Sequence, residues 1–220
     1  MISITTLEFL KKLKSNNNKE WFDKNRKEYE SAKAEMKKLC DAIINEVGKF
    51  DKNIAGLESK NCLFRINRDI RFSKDKSPYK TNMGAYFSKH GKNNGVGGYY
   101  FHLEPGKSFI GGGMYGAMPE QLKAVRQEID YNLSDFKKII SSSTFKKMYP
   151  DLEGEKLKNA PKGYEESNPA VDFLKHKNMY VSSAFSDEEL MDENFNKSFA
   201  VKAKVLYPFL QFFDTAISNE

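Results

Sequence analysis

The sequence predicts an α+β fold in which an antiparallel sheet of four or more strands packs with helices from both ends of the chain. Apolar residues recur at helical spacing near both termini, and they alternate with a period of two across the middle of the chain. The alternating stretches are joined by short links rich in glycine and proline, and short links favour antiparallel neighbours. With 220 residues, the chain is expected to form a single compact domain over residues 1–220.

The two ends of the chain carry the helical patterns. Thr5 and Glu8 have capping-box spacing at the start of a short helix, and a long helical pattern follows over residues 19–50. The charged residues of that long pattern are interpreted as a solvated face rather than a binding surface. Further helices are expected over residues 119–132, 134–140 and 168–176 and from about residue 194 onward. Pro208 is expected to kink or break the last one, because its ring removes an intrahelical hydrogen bond.

The middle of the chain predicts the sheet. The expected strands cover residues 62–72, 82–89, 98–104 and 107–115, with a fifth over 178–185. In the first of these strands, the apolar residues of one face are Cys62, Phe64, Ile66, Ile70 and Phe72. Arg68 falls on that face and is expected to have a carboxylate or several carbonyl partners, because an unpaired buried charge is very costly. We therefore take Arg68 and Asp69 as candidates for a structural ion pair.

Residues 65–81 concentrate the positive charge of the chain. Six bases and two acids give this stretch a net charge of +4, out of +6 for the whole sequence. Arginine presents a planar fork of donors that fits phosphate or carboxylate groups. The expected anion-binding residues are Arg65, Arg71, Lys74, Lys76 and Lys80. The alternative interpretation is an internal ion-pair network in which Arg65 and Arg71 flank Asp69.

The neighbouring strands supply possible companions for these bases. Tyr100, His102 and Glu104 share one face of the third expected strand, and Tyr86 lies on one face of the second. If these faces coincide with the arginine face, Tyr86, Tyr100 and His102 lie together with the arginines on one face of the sheet. Such a group of side chains suits acid–base chemistry, because histidine titrates near neutrality. The alternative is that His102 is a hydrogen-bonded residue of the core.

Other motifs give no cofactor or metal site. Gly111, Gly113 and Gly116 match the spacing of a dinucleotide-binding loop, but they lie in an expected hairpin strand rather than between a parallel strand and a helix. Glycines in a strand instead allow the close approach of another backbone. Cys40 and Cys62 form neither a disulfide framework nor a zinc motif. Reduced thiols fit a cytoplasmic location, and no apolar run reaches the length of a membrane span, so no membrane partner is expected.

At the motif level, the chain resembles the bacterial and fungal proteins grouped as domain of unknown function 2461. The resemblance covers nearly the whole chain. It is carried by NNNKEWFDKNRKEY at 16–29, RDIRFSKDKSPYKT at 68–81, GGYYFHLEP at 97–105, GGGMY at 111–115 and LKNAPKGY at 157–164. It implies a single compact cytosolic domain with residues 68–81 as its hallmark, and it transfers no activity and no catalytic residues.

Two functions of different classes are therefore expected from the sequence. The first is a protein that binds, or acts on, an anionic and phosphorylated small molecule through the basic stretch 65–80. The second is a non-enzymatic module that binds nucleic acid or a protein partner through the same basic surface, although no specific nucleic-acid-binding motif is present. A concave pocket would favour the first function, and a flat basic strip would favour the second. Enzymatic activity and oligomeric state stay open at the level of sequence.

Overall fold

The computed structural model describes residues 1–93 and 95–218. Its helices α1 to α10 span Ile4–Ser15, Lys19–Lys24, Arg26–Val47, Ser59–Cys62, Pro119–Tyr131, Leu133–Ser141, Ser143–Met148, Val171–Leu174, Asp187–Met191 and Phe195–Ser218. Its strands β1 to β4 span Met83–Phe87, Val96–Leu103, Ser108–Met114 and Met179–Phe185. The strands form an antiparallel meander in the order β1-β2-β3-β4. The predicted α+β class and antiparallel sheet are confirmed.

The chain divides into two compact units. The first comprises residues 1–92, 100–110 and 184–201, and the second comprises the described residues among 93–99, 111–183 and 202–220. Strands β2, β3 and β4 and helix α10 contribute residues to both units. The expectation of one compact domain over the whole chain stays a prediction.

The first unit is built from the N-terminal helices, β1 and the first two turns of α10. Helix α1 is tied to α3 by the hydroxyl of Thr6, which donates to the Glu35 carboxylate at 2.7 Å. At the start of α10, the ring of Phe199 lies 6.1 Å from Phe87 of β1 and 5.7 Å from Phe101 of β2. Aromatic packing therefore joins the C-terminal helix to the strands within this unit.

The second unit has its own aromatic core. Phe136 of α6 contacts Phe173 and Phe209, with ring centroids 5.2 and 6.1 Å apart. Gly113 of β3 has a φ of +136°, and a Cβ there would lie 2.3 Å from the carbonyl oxygen of Met179 on β4. Only glycine permits this approach of two strands, as expected from glycine in a strand.

The helices differ from the sequence prediction in their caps, their divisions and their continuity. Helix α1 is capped by Ser3, whose hydroxyl accepts a first-turn backbone N–H at 3.3 Å, so the predicted cap at Thr5 is wrong. The pattern predicted as one helix over 19–50 divides at Asn25 into α2 and α3. Helix α10 continues through Pro208. Burial of its apolar stripe outweighs the one hydrogen bond that proline removes.

Residues 62–72 do not form the predicted strand. The segment after α4 makes only isolated bridges, Leu63 with Ala85 and Asn67 with Tyr79. Part of the expected alternation survives, because Ile66 is 5% exposed, but Phe72 is 95% exposed rather than buried.

Local turns explain the loss of the strand. The Asp69 carboxylate accepts the N–H of Arg71 at 3.2 Å, and the Asp75 carboxylate accepts the N–H of Ser77 at 2.9 Å. Aspartates that bond the backbone two residues onward compete with a β-ladder and favour turns. Residues 67–79 are called the basic loop below.

Candidate anion-binding site

A cavity of about 320 Å³ lies beside β1 in the first unit. This volume is within the range of small-molecule sites in proteins. The cavity, called the basic pocket below, is lined by Tyr29, Lys33, Lys37, Lys60, Leu63, Phe64, Arg65, Ile66, Asn82, Met83, Gly84 and Lys92. Helix α3, the segment around α4 and the start of β1 supply most of this lining.

The basic pocket combines an apolar floor with a basic wall. Leu63, Phe64, Ile66 and Met83 provide the apolar surface, and Ile66 and Met83 are buried. Five of the lining residues are bases, and the described lining contains no acid. A ligand with an apolar body and an anionic group matches this distribution.

The basic wall follows from helix geometry. Tyr29, Lys33 and Lys37 are spaced four residues apart in α3, so they align on one face of the helix. The adjacent face of α3 carries the buried residues Met36 and Ile43. The helix therefore anchors itself in the core while it presents an aromatic ring and two ammonium groups to the cavity.

The bases of the pocket differ in their partners. Lys33 pairs with Glu30 at 3.5 Å, and Lys60 pairs with Glu58 at 3.0 Å, in both cases at an exposed position. Lys92 donates to the carbonyl oxygen of Leu63 at 2.9 Å.

Two further bases are available to a ligand. Lys37 and Arg65 are exposed, and neither makes a hydrogen bond or ion pair with any residue that the structure describes. Three cations of the wall, Lys37, Arg65 and Lys92, thus have no carboxylate partner within the described residues.

Lys80 adds a further cation beside the pocket. Its ammonium nitrogen lies 5.4 Å from the centroid of the Phe64 ring. Burial lowers the pKa of Lys80, and the positive charge of Arg65 lowers it further. Because like charges repel at this position, an anion bound between them would stabilise both.

Both arginines of the basic loop are paired within the loop itself. Arg68 pairs with Asp75, and it also donates to the Ser77 carbonyl oxygen at 3.1 Å. Arg71 donates to both carboxylate oxygens of Asp69, at 3.0 and 2.7 Å. The two ion-pair candidates, Arg68 and Asp69, are therefore each ion-paired, Arg68 with Asp75 and Asp69 with Arg71.

The remaining loop bases follow the same trend only in part. The ammonium group of Lys76 donates to the carbonyl oxygen of Ile70 at 3.0 Å. Lys74 is exposed and makes no hydrogen bond or ion pair with the residues described. The pKa of Asp75 falls to about 2, because the Ser77 hydroxyl and N–H bind its carboxylate and Arg68 adds a positive charge.

The structure brings two of the predicted companions together on β2. The Tyr100 hydroxyl lies 3.0 Å from Nδ1 of His102, and Nε2 of His102 lies 3.3 Å from Oε2 of Glu104. The imidazole stacks on Phe109 with ring centroids 4.8 Å apart. The third companion, Tyr86 of β1, is buried.

Of the five bases predicted to bind an anion, one lies among the residues that line the pocket. Arg65 lines the pocket, and Lys80 lies beside it, whereas Arg71, Lys74 and Lys76 lie in the basic loop outside its lining. The sequence prediction missed four lining lysines, Lys33, Lys37, Lys60 and Lys92. The four-residue spacing in α3 was their visible signal, but the same spacing is typical of any solvated helix face.

The described residues contain neither a metal-binding group nor a membrane-spanning helix. No group of three or more His, Cys, Asp or Glu side chains is arranged to hold a metal ion. None of the helices in the described ranges combines the length and the apolar character required to cross a bilayer.

The fold and the site define an α+β protein with a four-stranded meander and a basic cavity beside its first strand. The chain belongs to the DUF2461 family, described as a conserved hypothetical protein, and the match covers residues 5–212. No curated protein and no solved structure matches the chain. The family resemblance inferred from the sequence motifs is confirmed.

Proposed function

We propose that this protein binds an anionic, phosphorylated small molecule in the basic pocket. The observation that supports the proposal is a concave cavity whose wall holds five bases and no acid among its described lining residues. Arg65 provides a planar fork for a phosphate group, and Lys37 and Lys92 provide additional positive charge.

The apolar floor extends the proposal to the organic part of the ligand. The rings of Phe64 and Tyr29 lie on the same cavity as the bases. Aromatic rings and aliphatic side chains gain free energy when an apolar group covers them. A phosphorylated ligand with an aromatic or aliphatic body would use both halves of the lining.

The alternative function, a flat surface for nucleic acid, has weaker support. In the basic loop, Arg68 and Arg71 are neutralised by carboxylates within the loop. Exchanging these pairs for phosphate contacts gains little, because each base gives up a partner it already has. The exposed ring of Phe72, two residues before Lys74 in the sequence, is the feature that would suit stacking on a base.

The test is calorimetric titration with inorganic pyrophosphate and with p-nitrophenyl phosphate. The pocket variant carries Lys37→Ala with Arg65→Ala. The matched control carries Lys74→Ala with Arg71→Ala, which removes the same two residue types and the same charge from the basic loop. We expect the pocket variant to bind about tenfold more weakly, or about 1.4 kcal/mol. The control should bind like the wild type.

Two results would contradict the proposal. Equal weakening in both double variants would indicate non-specific attraction by net charge, which salt screens. Absence of binding to the wild-type protein by either compound would leave the pocket without a ligand of this class. A short single-stranded oligonucleotide serves as the third titrant, and binding that depends on the loop residues alone would support the alternative function.

A further inference from the structure

Gly84 is the lining residue of the basic pocket that contacts Tyr100 of β2. This residue belongs to β1 and lines the cavity. A Cβ at position 84 would lie 3.0 Å from the hydroxyl oxygen of Tyr100 and 3.2 Å from its ring. The Tyr100 phenol therefore occupies the space that a side chain at position 84 would fill.

A second contact places Tyr100 directly behind the lining of the pocket, of which it is not itself a part. Its ring centroid lies 6.3 Å from that of Phe64, which is part of the pocket lining. Because Gly84 has no side chain, Phe64 and Tyr100 meet across β1. The hydroxyl of Tyr100 is thus the polar group of β2 that lies next to Gly84, behind the lining of the pocket.

The hydroxyl of Tyr100 belongs to a hydrogen-bonded chain. His102 joins Tyr100 to Glu104, and Glu104 lies 3.6 Å from the ammonium group of Lys14 on α1. The side chains of His102 and Glu104 are only 14% and 18% exposed. The Ser108 hydroxyl further fixes the backbone of Glu104 at 2.9 Å.

The chain has a direction that follows from its chemistry. An ionised carboxylate only accepts hydrogen bonds, so the Nε2 atom of His102 carries the proton that faces Glu104. In the neutral imidazole, Nδ1 then accepts, and the Tyr100 hydroxyl donates to it. A carboxylate that orients a histidine, which in turn accepts the proton of a hydroxyl, is the arrangement that activates a hydroxyl oxygen.

We propose that Tyr100 is the reactive group of the basic pocket, with His102 and Glu104 as its positioning residues. This inference depends on the proposed function, because the bases of the pocket hold the anionic substrate. The substrate gives a proton to the oxygen of Tyr100 while the phenol proton passes to Nδ1 of His102. The imidazolium that forms is stabilised by Glu104. Tyr100 then returns a proton to a different atom of the substrate while His102 returns its proton to the Tyr100 oxygen, which restores the site and releases an isomerised product. The protein would then be an acid–base enzyme for an anionic substrate.

The experiment uses 4-(fluorosulfonyl)benzoic acid, whose carboxylate suits the bases of the pocket. The tyrosine oxygen attacks sulfur, an S–O bond forms, the S–F bond breaks, and fluoride leaves while His102 takes the proton. Mass spectrometry of digested protein measures the rate at each tyrosine. We expect Tyr100 to react about tenfold faster than Tyr115 and Tyr131, although these are 68% and 74% exposed.

The His102→Asn variant tests the relay. Its labelling at Tyr100 should fall by about 100-fold, the usual contribution of a general base. Labelling at Tyr115 and Tyr131 should stay unchanged, which shows that the reagent is equally active, and circular dichroism should match the wild type, which shows that the variant is folded. The pH profile gives a second readout. In the variant the rate should keep rising towards pH ~10, as expected of an unassisted phenol.

Protection and a milder variant complete the test. Pyrophosphate should slow labelling of Tyr100 in the wild type but not in the Lys37→Ala, Arg65→Ala variant. Glu104→Gln should slow labelling less than His102→Asn does, because the base is retained but its orienting charge is lost.

The two proposals fail in different ways. If pyrophosphate binds in calorimetry but His102→Asn labels as fast as the wild type, the relay is wrong and the binding pocket stands. If Tyr100 reacts rapidly even with neutral phenylmethanesulfonyl fluoride while pyrophosphate neither binds nor protects, the proposed function is wrong and the assignment of Tyr100 to a substrate falls with it.

Discussion

The basic pocket and the basic loop carry similar charge in different surroundings. In the loop, Arg68 and Arg71 are each paired with an aspartate that lies within seven residues in the sequence. In the pocket, Lys37 and Arg65 come from separate elements and have no partner among the described residues. Under the proposed function, the density of bases along the sequence does not by itself locate the anion site. The positions of the acids decide which bases are available.

The two regions also differ in their relation to the core. The floor of the pocket includes Ile66 and Met83, which are buried, whereas the loop exposes Phe72 to solvent. The Arg71–Asp69 pair of the loop is exposed, and Arg68 pairs with an exposed Asp75 from a partly buried position. Pairs that water can reach contribute little to stability. They select the conformation of the loop rather than stabilise the unit.

The largest expected effect tests whether the pocket floor belongs to the core. Ile66→Ala should lower the free energy of unfolding by about 2–4 kcal/mol, because it leaves a cavity below a buried position. Ile70→Ala is the matched control in the basic loop, where the side chain is half-buried and the loss should be clearly smaller. Urea unfolding followed by circular dichroism measures both. Equal losses would remove the distinction between the two regions.

Much of the sheet could be predicted from the sequence, and the reason is local. Strands β1, β2 and β3 were expected within a few residues of their observed bounds, because alternation and flanking glycines mark them. The strand predicted over 62–72 was wrong, because alternation was read without the turn-forming aspartates. The hydrogen bonds from the two aspartates to backbone N–H groups two residues later are local features of the sequence, as the alternation is, and here they override it.

A smaller effect tests the pairing of Asp75 in the loop. Its folded-state pKa of about 2 lies below the ordinary value near 3.9, so the carboxylate stabilises the fold fully above about pH 4. That contribution is lost as the pH falls towards 2. Asp75→Asn should therefore lower the melting temperature modestly at pH 7, and the gap to wild type should close between pH 4 and pH 2. A gap that is constant with pH would show that Asp75 is not paired in solution.

The candidate site was less accessible to sequence reasoning than the sheet. Arg65 was found because it lies in a dense run of bases, but Lys33, Lys37 and Lys92 are separated from it by many residues. Only the packing of α3 beside the start of β1 brings them to one cavity. The Tyr100–His102 contact was foreseeable in part, because residues two apart on a strand share a face, but the gap at Gly84 depends on the register of β1 against β2.

The smallest expected effect concerns Phe72, the residue at which the predicted strand and the observed loop differ most. A strand with Phe72 on its buried face would lose about 1.5–3 kcal/mol on truncation to alanine. The observed ring is 95% exposed, and the guanidinium carbon of Arg71 lies 5.8 Å from its centroid. Phe72→Ala should therefore change the free energy of unfolding by less than about 0.5 kcal/mol, as surface substitutions usually do. Urea unfolding measures this change, and pyrophosphate titration of the same variant should match the wild type because the ring is not part of the pocket lining. A loss of stability close to that of Ile66→Ala would contradict the loop and support the predicted strand. Unchanged stability together with weaker binding of a single-stranded oligonucleotide would show that the exposed ring stacks on bases and that the basic loop binds a second ligand.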